Sequence, residues 1–415
     1  MTLAAVVVFV GLLIFVAHVF AGVFERTRVP DVLLLIVVGL VLGPLGHVVA
    51  PEDFGAVGPV FTTITLVVVL FEAGLSLDVR QLAQAITGTL AVSVVGFAAS
   101  VVAAAAVGYA ILGLDVHRSV LLGAIVGGTS SAVVIPMVQQ LRIGQLARTI
   151  LAMESAVTDV LCIVVSLALL EALKAGSLDA GIMIGRMVAA FVLAAALGTG
   201  AGLLWSALLL RIREIKNSIF TTAAFAFVVY GLAELLGYSG AIAALGFGVT
   251  LGNPAVIRLP AFRNHLAREP VTLTATERAF FAEMVFLLKT FFFVYIGLSL
   301  VVRDVGPLAA GAALTMLLFV IRVPVVRYSA PRSLSADDAS IAAVMVPRGL
   351  AAAVLASIPA QQGIVGGDII QAVTYAVVLF SILGTSLLVV ALERTPLGRS
   401  YRATFRGFTV REETG

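Results

Sequence analysis

The chain has 415 residues, of which 61% are hydrophobic and 12% are charged, and its mean hydropathy is +1.14. Soluble domains carry about 25% charged residues, so this composition excludes a string of soluble domains. It indicates an all-α protein that crosses a membrane many times. The net charge of +3 says little about partners, and the single cysteine, Cys162, excludes an intramolecular disulfide.

Hydrophobic runs separated by charged or Gly- and Pro-bearing loops predict about thirteen transmembrane helices in one unit, residues 1–415. The first run has no basic segment or cleavage site, which predicts a span rather than a removable signal. The predicted spans cover residues 3–23, 31–46, 57–74, 82–112, 119–141, 148–172, 182–210, 217–236, 240–252, 277–301, 306–327, 338–358 and 367–391.

Basic residues are distributed unevenly between the two sets of alternating loops. One set holds 19 of the 26 Lys and Arg residues, the other holds 4, and the remaining three, Lys289, Arg322 and Arg348, lie within spans. Because basic loops stay in the cytoplasm, the C-terminus is predicted to be cytoplasmic and the N-terminus outside, in a cell inner or plasma membrane. Residues 395–415 are predicted to form a short cytoplasmic tail.

A repeat of opposite orientation joins the two halves of the chain. Gly-Leu-Ser-Leu at 74–77 recurs at 297–300, an offset of 223, and the same offset pairs Ile135-Pro136 with Ile358-Pro359. The two helices that carry the first match are predicted to run in opposite directions, which is the construction of secondary transporters. The repeats are predicted at 57–172 and 277–391.

The fifth and twelfth spans are predicted to be interrupted, at 127–131 (Gly-Gly-Thr-Ser-Ser) and 346–349 (Val-Pro-Arg-Gly). Unwound backbone is tolerated in a membrane only where it faces protein or a cavity. The freed carbonyls and the hydroxyls are hard oxygen donors that suit an alkali cation. A simple kink is the alternative, but matching breaks in both halves favour a site.

Two carboxylates, Glu154 and Asp159, lie inside an apolar run from about 149 to 170. An ionisable group there costs about 2.5–3.5 kcal/mol and usually marks an ion or proton pathway. Five residues correspond to about 500° of helix rotation, so the two carboxylates have different faces and different roles. Ser155 shares the face of Asp159, and with the Thr129 region they predict a compact oxygen site. The alternative is a structural Asp159 paired to a basic residue.

Glu154 is predicted to pair with Arg322, because a guanidinium stays charged and offers two parallel donors. Arg348, beside the second break, is predicted to cap freed carbonyls or neutralise a helix end. Two residues stay open. Glu72 is either a site residue or an interfacial side chain that reaches for water, and Lys289 either forms a second ion pair or does the same.

No Walker motif or dinucleotide loop occurs in the sequence, which argues against an ATP-driven pump. No enzymatic activity, cofactor, nucleotide or nucleic-acid partner is expected. Transport is instead expected to be driven by an ion gradient.

The segment 154–159 (Glu-Ser-Ala-Val-Thr-Asp) resembles the Glu-Ser-x-x-Asn-Asp motif of monovalent cation:proton antiporters, in the NhaP-like or sodium/proton exchanger branch. The segment 347–351 (Pro-Arg-Gly-Leu-Ala) resembles the Arg-Gly motif of that branch, and Arg322 stands where it carries a core arginine. The resemblance covers about residues 1–395.

This resemblance implies a homodimer in which core helices within 82–172 and 306–391 move, elevator-like, against a dimerisation scaffold from 1–56 and 182–301. Asp159 would bind the cation and the proton in turn, while Glu154 and Arg322 form a structural pair, which implies electroneutral exchange. The residues implied to complete the alkali-cation shell are Ser155, Thr129 and Glu72. Thr158 and Ser130 are implied as further residues of the cation- and proton-binding site.

Two departures from the family pattern concern selectivity and stoichiometry. The Thr-Asp-Pro that the family often carries at the first break is Thr129-Ser130-Ser131 here, and the Asn before the aspartate is Thr158. Na⁺ or Li⁺ exchange for H⁺ is favoured, and K⁺/H⁺ exchange is the alternative. A sodium-coupled organic-anion symporter is an alternative of another class. A channel is less consistent with the single free carboxylate, and a sensor is less consistent with the short tail.

Overall fold

The structure, a computed structural model, describes residues 3–27, 29–49, 57–76, 87–175, 180–212, 218–253, 273–300 and 304–408. Within these ranges every regular element is helical, apart from an isolated bridge between Arg406 and Phe408. The α-helices are α1 (Leu3–Thr27), α2 (Asp31–Leu40), α3 (Val57–Ser76), α4 (Thr87–Ala110), α5 (Val116–Val126), α6 (Ser131–Gln140), α7 (Gln145–Ala175), α8 (Ala180–Ile212), α9 (Thr221–Leu235), α10 (Gly240–Gly252), α11 (Ala275–Leu298), α12 (Val305–Ser329), α13 (Ala336–Ala342), α14 (Leu350–Gln361), α15 (Gly367–Arg394) and α16 (Leu397–Thr404). A π-helical turn, Val41–Leu45, continues α2, and a 3₁₀ turn, Ser218–Phe220, precedes α9.

The described helices are those of a multi-pass membrane protein. Seven of them, counting α5 and α6 as one, are long and apolar enough to cross a bilayer, and six shorter apolar helices accompany them. Each of the thirteen predicted spans overlaps one helix or one broken pair. The all-helical class is therefore confirmed, whereas the number of crossings stays a prediction.

Both predicted interruptions are present. The fifth span divides into α5 and α6, and the twelfth into α13 and α14. The first half of each broken helix begins with a side-chain cap: Asp115 accepts from the Arg118 amide at 3.0 Å, and Ser335 accepts from the Asp338 amide at 3.0 Å. These caps satisfy amides that have no partner within a helix, so the first halves start at defined residues.

One compact unit comprises residues 1–55, 85–166 and 290–415. In it α4 packs against α5 and α12, while α15 packs against α12 and α14. Both broken helices and the 145–166 part of α7 belong to this unit. Every residue of the site described below, apart from Glu72, lies within it.

The short helix α16 is docked in the same unit. It packs against α13 and α15, and Arg402 forms an ion pair of 3.4 Å with Asp337. The Arg327 guanidinium donates to the Thr404 carbonyl, and Phe405 is fully buried. The described end of the chain is thus held against the first half of the second broken helix.

The other unit comprises residues 56–84 and 167–289. Its central helix, α10, packs against α3, α8 and α9. An aromatic cluster fills its core, where Phe71 stacks on Phe247 with ring centroids 5.0 Å apart and meets Phe281 edge-on at 4.9 Å. Large aromatic side chains bury much apolar area per residue, so this unit has a core of its own.

The repeated glycines occupy equivalent environments. A Cβ atom on Gly74 would lie 2.5 Å from the Leu245 carbonyl oxygen, and one on Gly297 would lie 2.1 Å from the Ile36 carbonyl oxygen. Only glycine permits such close approach of two helix backbones in a membrane. The recurring sequence therefore corresponds to a recurring type of helix contact.

The grouping of residues 1–55 differs from the sequence-based assignment, which placed 1–56 with 182–301. These residues group instead with 85–166 and 290–415. In this unit α2 contacts α15, and it also lies against Gly297 of α11, which the sequence-based assignment had already grouped with 1–56. The roles of the segments as core and dimerisation scaffold stay predictions.

Candidate functional site

The two helix breaks meet. The first extends over 127–130 and the second over 343–349. The Ser130 amide donates to the Pro347 carbonyl oxygen at 2.8 Å. Unwound backbone from one broken helix is thereby satisfied by unwound backbone from the other, as buried polar groups in a membrane require.

The first break is held by side chains of α7. The Gly128 amide donates to Cys162 Sγ at 2.9 Å, and the Thr129 amide donates to Thr158 Oγ1 at 3.1 Å. Gly128 lies so close to α7 that a Cβ there would be 2.6 Å from the Thr158 carbonyl oxygen. Side-chain acceptors on α7 therefore replace the helical bonds that the break removes.

The Asp159 side chain, on α7, faces the start of α6, which is the second half of the first broken helix. Its Oδ2 accepts a hydrogen bond of 2.5 Å from the Ser131 hydroxyl and one of 3.2 Å from the Ser131 amide. Ser131 is the first residue of α6, so the carboxylate faces the positive end of a helix dipole. Within the described part of the chain, no basic side chain forms an ion pair with Asp159.

Glu154 is in a different situation. Both Arg322 terminal nitrogens donate to its two carboxylate oxygens, Nη2 to Oε2 at 2.7 Å and Nη1 to Oε1. The side chains are 2% and 6% exposed. The Arg322 Nε also donates to the Ala342 carbonyl oxygen at 3.1 Å, so this guanidinium uses three donors in one planar arrangement.

Arg348 caps the C-terminal end of α5, the first half of the first broken helix. Its Nη1 donates to the Gly127 carbonyl oxygen at 3.2 Å, and its Nη2 donates to Ser100 Oγ at 3.2 Å. Its backbone amide donates to Ser381 Oγ at 2.9 Å. Each first half-helix thus ends on a guanidinium, α5 on Arg348 and α13 on Arg322, where the helix dipole is negative.

The hydroxyls and amides of the remaining predicted site residues bond groups other than the Asp159 carboxylate. The Ser155 hydroxyl donates to the Ala152 carbonyl oxygen at 3.0 Å, on its own helix. The Thr129 and Thr158 hydroxyls lie 3.3 Å apart. Ser130 is buried, and its amide is the one that meets Pro347.

Glu72 and Lys289 belong to the unit of 56–84 and 167–289. Glu72 Oε1 accepts from the Ser76 hydroxyl at 2.6 Å, within α3. The Lys289 ammonium lies 5.5 Å from the centre of the Phe286 ring, on α11. The predicted part of Glu72 in the cation shell stays a prediction.

Four contributors were not predicted from the sequence: Ser131, Cys162, Ser100 and Ser381. Spacing offers a signal for two of them, because Cys162 follows Thr158 by four residues, on the same face of α7, and Ser131 ends the Gly-Gly-Thr-Ser-Ser break. Ser100 and Ser381 lie on α4 and α15, and nothing in their local sequence distinguishes them from other serines in apolar helices.

Comparison with known families gives a match over nearly the whole chain. Residues 11–393 match the family described as "Sodium/hydrogen exchanger, transmembrane". This range contains both helix breaks, Asp159 and the Glu154–Arg322 pair.

Individual relatives are more distant. A K(+)/H(+) antiporter NhaP2 from Shewanella sp. (strain MR-4) is 24% identical over 250 residues, which is 59% of this chain and 43% of the relative. The NhaP2 of Shewanella baltica (strain OS223) is 24% identical over 390 residues, 91% of this chain and 64% of the relative. The chain therefore spans about half to two thirds of the length of these curated relatives.

Among solved structures, the sodium proton antiporter MjNhaP1 from Methanocaldococcus jannaschii at pH 8 has a similar fold. The TM-score is 0.71 at 19% identity, over 93% of this chain and 100% of that one. At this identity the likeness establishes the fold.

Proposed function

Because the chain belongs to the sodium/hydrogen exchanger family, we propose that it exchanges a monovalent cation for a proton across the membrane. Asp159 is the group that binds the two ions in turn. The observation that carries this proposal is the contrast between two carboxylates of one helix: Glu154 is paired to Arg322, whereas Asp159 is held by the neutral donors of Ser131. A carboxylate that makes no direct ion pair with a basic side chain of the described chain is free to change ions.

Competition follows from the use of one carboxylate. A protonated Asp159 has lost the charge that attracts a cation, so the two ligands exclude each other. The apparent affinity for the cation is therefore expected to fall as the pH is lowered. Measurement of the half-saturating cation concentration at several pH values tests this, and a concentration independent of pH contradicts the competition.

For the transported cation, we favour Na⁺ and Li⁺, with K⁺ as the alternative. Hydroxyls, carbonyls and a carboxylate are hard oxygen donors that suit any alkali ion. The relatives differ in their names, since the Shewanella proteins are called K(+)/H(+) antiporters and the MjNhaP1 structure is described as a sodium proton antiporter. A side-by-side titration with the three chlorides is therefore part of the test.

Stoichiometry follows from the charge state of the two carboxylates. Glu154 is buried in a two-point pair, and removal of one partner from such a pair typically costs about 3–5 kcal/mol. It is therefore expected to stay charged throughout the cycle. With Asp159 alone changing ions, one cation exchanges for one proton and the cycle moves no net charge.

A sodium-coupled symporter for an organic anion is less well supported. The cavity beside the site, lined by Thr129, Glu154, Arg322, Arg348 and neighbours, measures about 10 Å³. That is room for about one water molecule, whereas pockets for organic ligands measure about 300–1,000 Å³. Asp159 does not line this cavity, which has no room for an organic anion beside the Glu154–Arg322 pair.

Assembly and movement are proposed on the same basis. We infer a homodimer in a cell inner or plasma membrane, with the N-terminus outside and the C-terminus cytoplasmic. The distribution of basic residues, 19 against 4, supports this orientation. An elevator-like movement of the core helices against the dimerisation scaffold would expose Asp159 to each side in turn.

The decisive experiment is cation-dependent proton flux in proteoliposomes, titrated with NaCl, LiCl and KCl. Asp159→Asn is expected to abolish exchange, because an amide neither carries the charge nor takes up the proton. Asp368→Asn is the matched control, since Asp368 lies exposed in the first turn of α15. Exchange that persists in Asp159→Asn would overturn the proposal, and collapse of the membrane potential tests the stoichiometry.

A further inference from the structure

Several hydroxyls lie on the first break and on the part of α7 that carries Asp159, and their hydrogen bonds distinguish between them. The Ser155 hydroxyl donates to its own helix at Ala152, and the Thr129 and Thr158 hydroxyls lie against each other. Among the described residues, the hydroxyl that donates to the Asp159 carboxylate is that of Ser131, at 2.5 Å. The hydroxyl that bonds this carboxylate is therefore on α6 rather than on α7.

The position of Ser131 is fixed by its backbone. Its amide also donates to Asp159 Oδ2, at 3.2 Å, and the amide of the preceding Ser130 donates to Pro347 at 2.8 Å. With two successive amides bonded, the side chain is placed against the carboxylate by the break itself.

A serine hydroxyl has one donor and two lone pairs. When its proton is used on Asp159 Oδ2, both lone pairs are left to coordinate a cation. A cation that binds Asp159 therefore meets Ser131 Oγ beside the carboxylate oxygen, without any need for the existing hydrogen bond to break.

We propose that Ser131 is a cation ligand of the site, pairing its neutral oxygen with the charged oxygen of Asp159. This proposal rests on the proposed function, because it assigns a ligand to the same ion. It differs from the expectation from the sequence, in which Ser155, Thr129 and Glu72 complete the cation shell, Thr158 and Ser130 are further site residues, and Ser131 is not named.

The test compares Ser131→Ala with Ser131→Thr. The alanine removes the oxygen and keeps the amide, whereas the threonine keeps both. For Ser131→Ala we expect the half-saturating Na⁺ or Li⁺ concentration to rise about three- to tenfold, with the maximal rate changed less than about twofold, as loss of one neutral oxygen contact implies. Ser131→Thr is expected to restore most of the affinity.

Ser357→Ala is the matched control. Ser357 is likewise a serine on the second half of a broken helix; it is buried, and its hydroxyl donates to the Val354 carbonyl oxygen at 2.7 Å. It is expected to leave the half-saturating concentration unchanged. An unchanged or lowered concentration in Ser131→Ala would overturn the proposal, the lowered value because it means that the hydroxyl competes with the cation.

Titration calorimetry of the detergent-solubilised protein with NaCl, LiCl and KCl separates this proposal from the previous one. If wild-type protein fails to exchange ions in liposomes, the proposed function fails. The calorimetric comparison of wild type with Ser131→Ala still reports whether Ser131 binds the cation. Equal binding of Na⁺ by the two proteins contradicts the role of Ser131 whatever the transport assay shows.

Discussion

The two helix breaks provide hydrogen-bond partners for their unwound backbone amides in different ways. At the first break the amides of Gly128, Thr129 and Ser131 are bonded by side chains of α7. At the second break, by contrast, successive amides bond nearby carbonyls in tight turns, Val344 to Ile341 at 3.1 Å and Met345 to Ala342 at 3.3 Å. The first break is bonded mainly by side chains of α7, while the second combines its own tight turns with bonds from Arg322 and to Ser381.

This difference separates two tasks within one site. The first break presents hydroxyls to Asp159 and is sensitive to anything that moves α7. The second break supplies Arg348, whose guanidinium bonds the carbonyl at the C-terminal end of α5. We infer that ion binding at Asp159 alters the hydrogen bonds of the first break, and that the second break provides fixed positive charge.

The largest effect is expected from Arg322→Leu. This change leaves Glu154 charged, buried and unpaired, and removes the donor to Ala342 at the second break, so the free energy of unfolding is expected to fall by about 3–5 kcal/mol. Thermal unfolding in detergent measures this. Arg327→Leu, at a half-buried position on the same helix, removes only a hydrogen bond to the Thr404 carbonyl oxygen and is expected to cost much less.

The double variant Glu154→Leu with Arg322→Leu sharpens this prediction. With both charges removed, no unpaired ion stays buried, so much of the stability is expected to return. If the double variant is as unstable as the sum of the two single variants, the contacts of the pair do not act together as described.

An intermediate effect is expected at the first break from Gly128→Ala. The added Cβ would lie 2.6 Å from the Thr158 carbonyl oxygen and 2.7 Å from Cys162 Sγ. Forced overpacking of this kind typically costs about 1–3 kcal/mol. The shift in unfolding temperature measures it, and cation affinity is expected to fall with it because α7 carries Asp159.

Gly231→Ala is the control for this change. Gly231 lies inside α9, and no atom is within 4 Å of the position that its Cβ would take. Alanine favours a helix by about 1 kcal/mol over glycine, so this variant is expected to be as stable as wild type or more so. Equal losses at 128 and 231 would contradict the close approach of the break to α7.

The smallest effect is expected from Cys162. Cys162→Ser keeps an acceptor for the Gly128 amide, whereas Cys162→Val leaves that buried amide without one. The valine variant is expected to be less stable than the serine variant by about 1 kcal/mol, at the low end for an unsatisfied buried donor, since sulfur is a weak acceptor. Amide hydrogen exchange across residues 124–131 is expected to be faster in the valine variant alone.

Much of this arrangement follows from the sequence, for identifiable reasons. Apolar runs and their charged borders predict the positions of the helices, and Gly-Gly and Val-Pro-Arg-Gly predict the two interruptions. The cost of a buried charge predicts that Glu154 needs a guanidinium, and Arg322, deep within a span, supplies it.

The hydrogen-bond partners of the serine hydroxyls near Asp159 could not be predicted from hydrophobic runs or buried charges. Rotation along one helix places Ser155 on the face of Asp159, but it does not show that the Ser155 hydroxyl bonds the Ala152 carbonyl oxygen. The meeting of Ser131 with Asp159 depends on how two helices cross, and that distance is set by Gly128.

The docked helix α16 has a practical consequence for protein engineering. Phe405 is buried, and Arg327 and Asp337 both bond this helix. The described end of the chain therefore packs directly against α13. An affinity tag or fluorescent fusion joined directly after Phe408 would press on the first half of a broken helix. A long flexible spacer there keeps purification handles from altering the behaviour that they are meant to help measure.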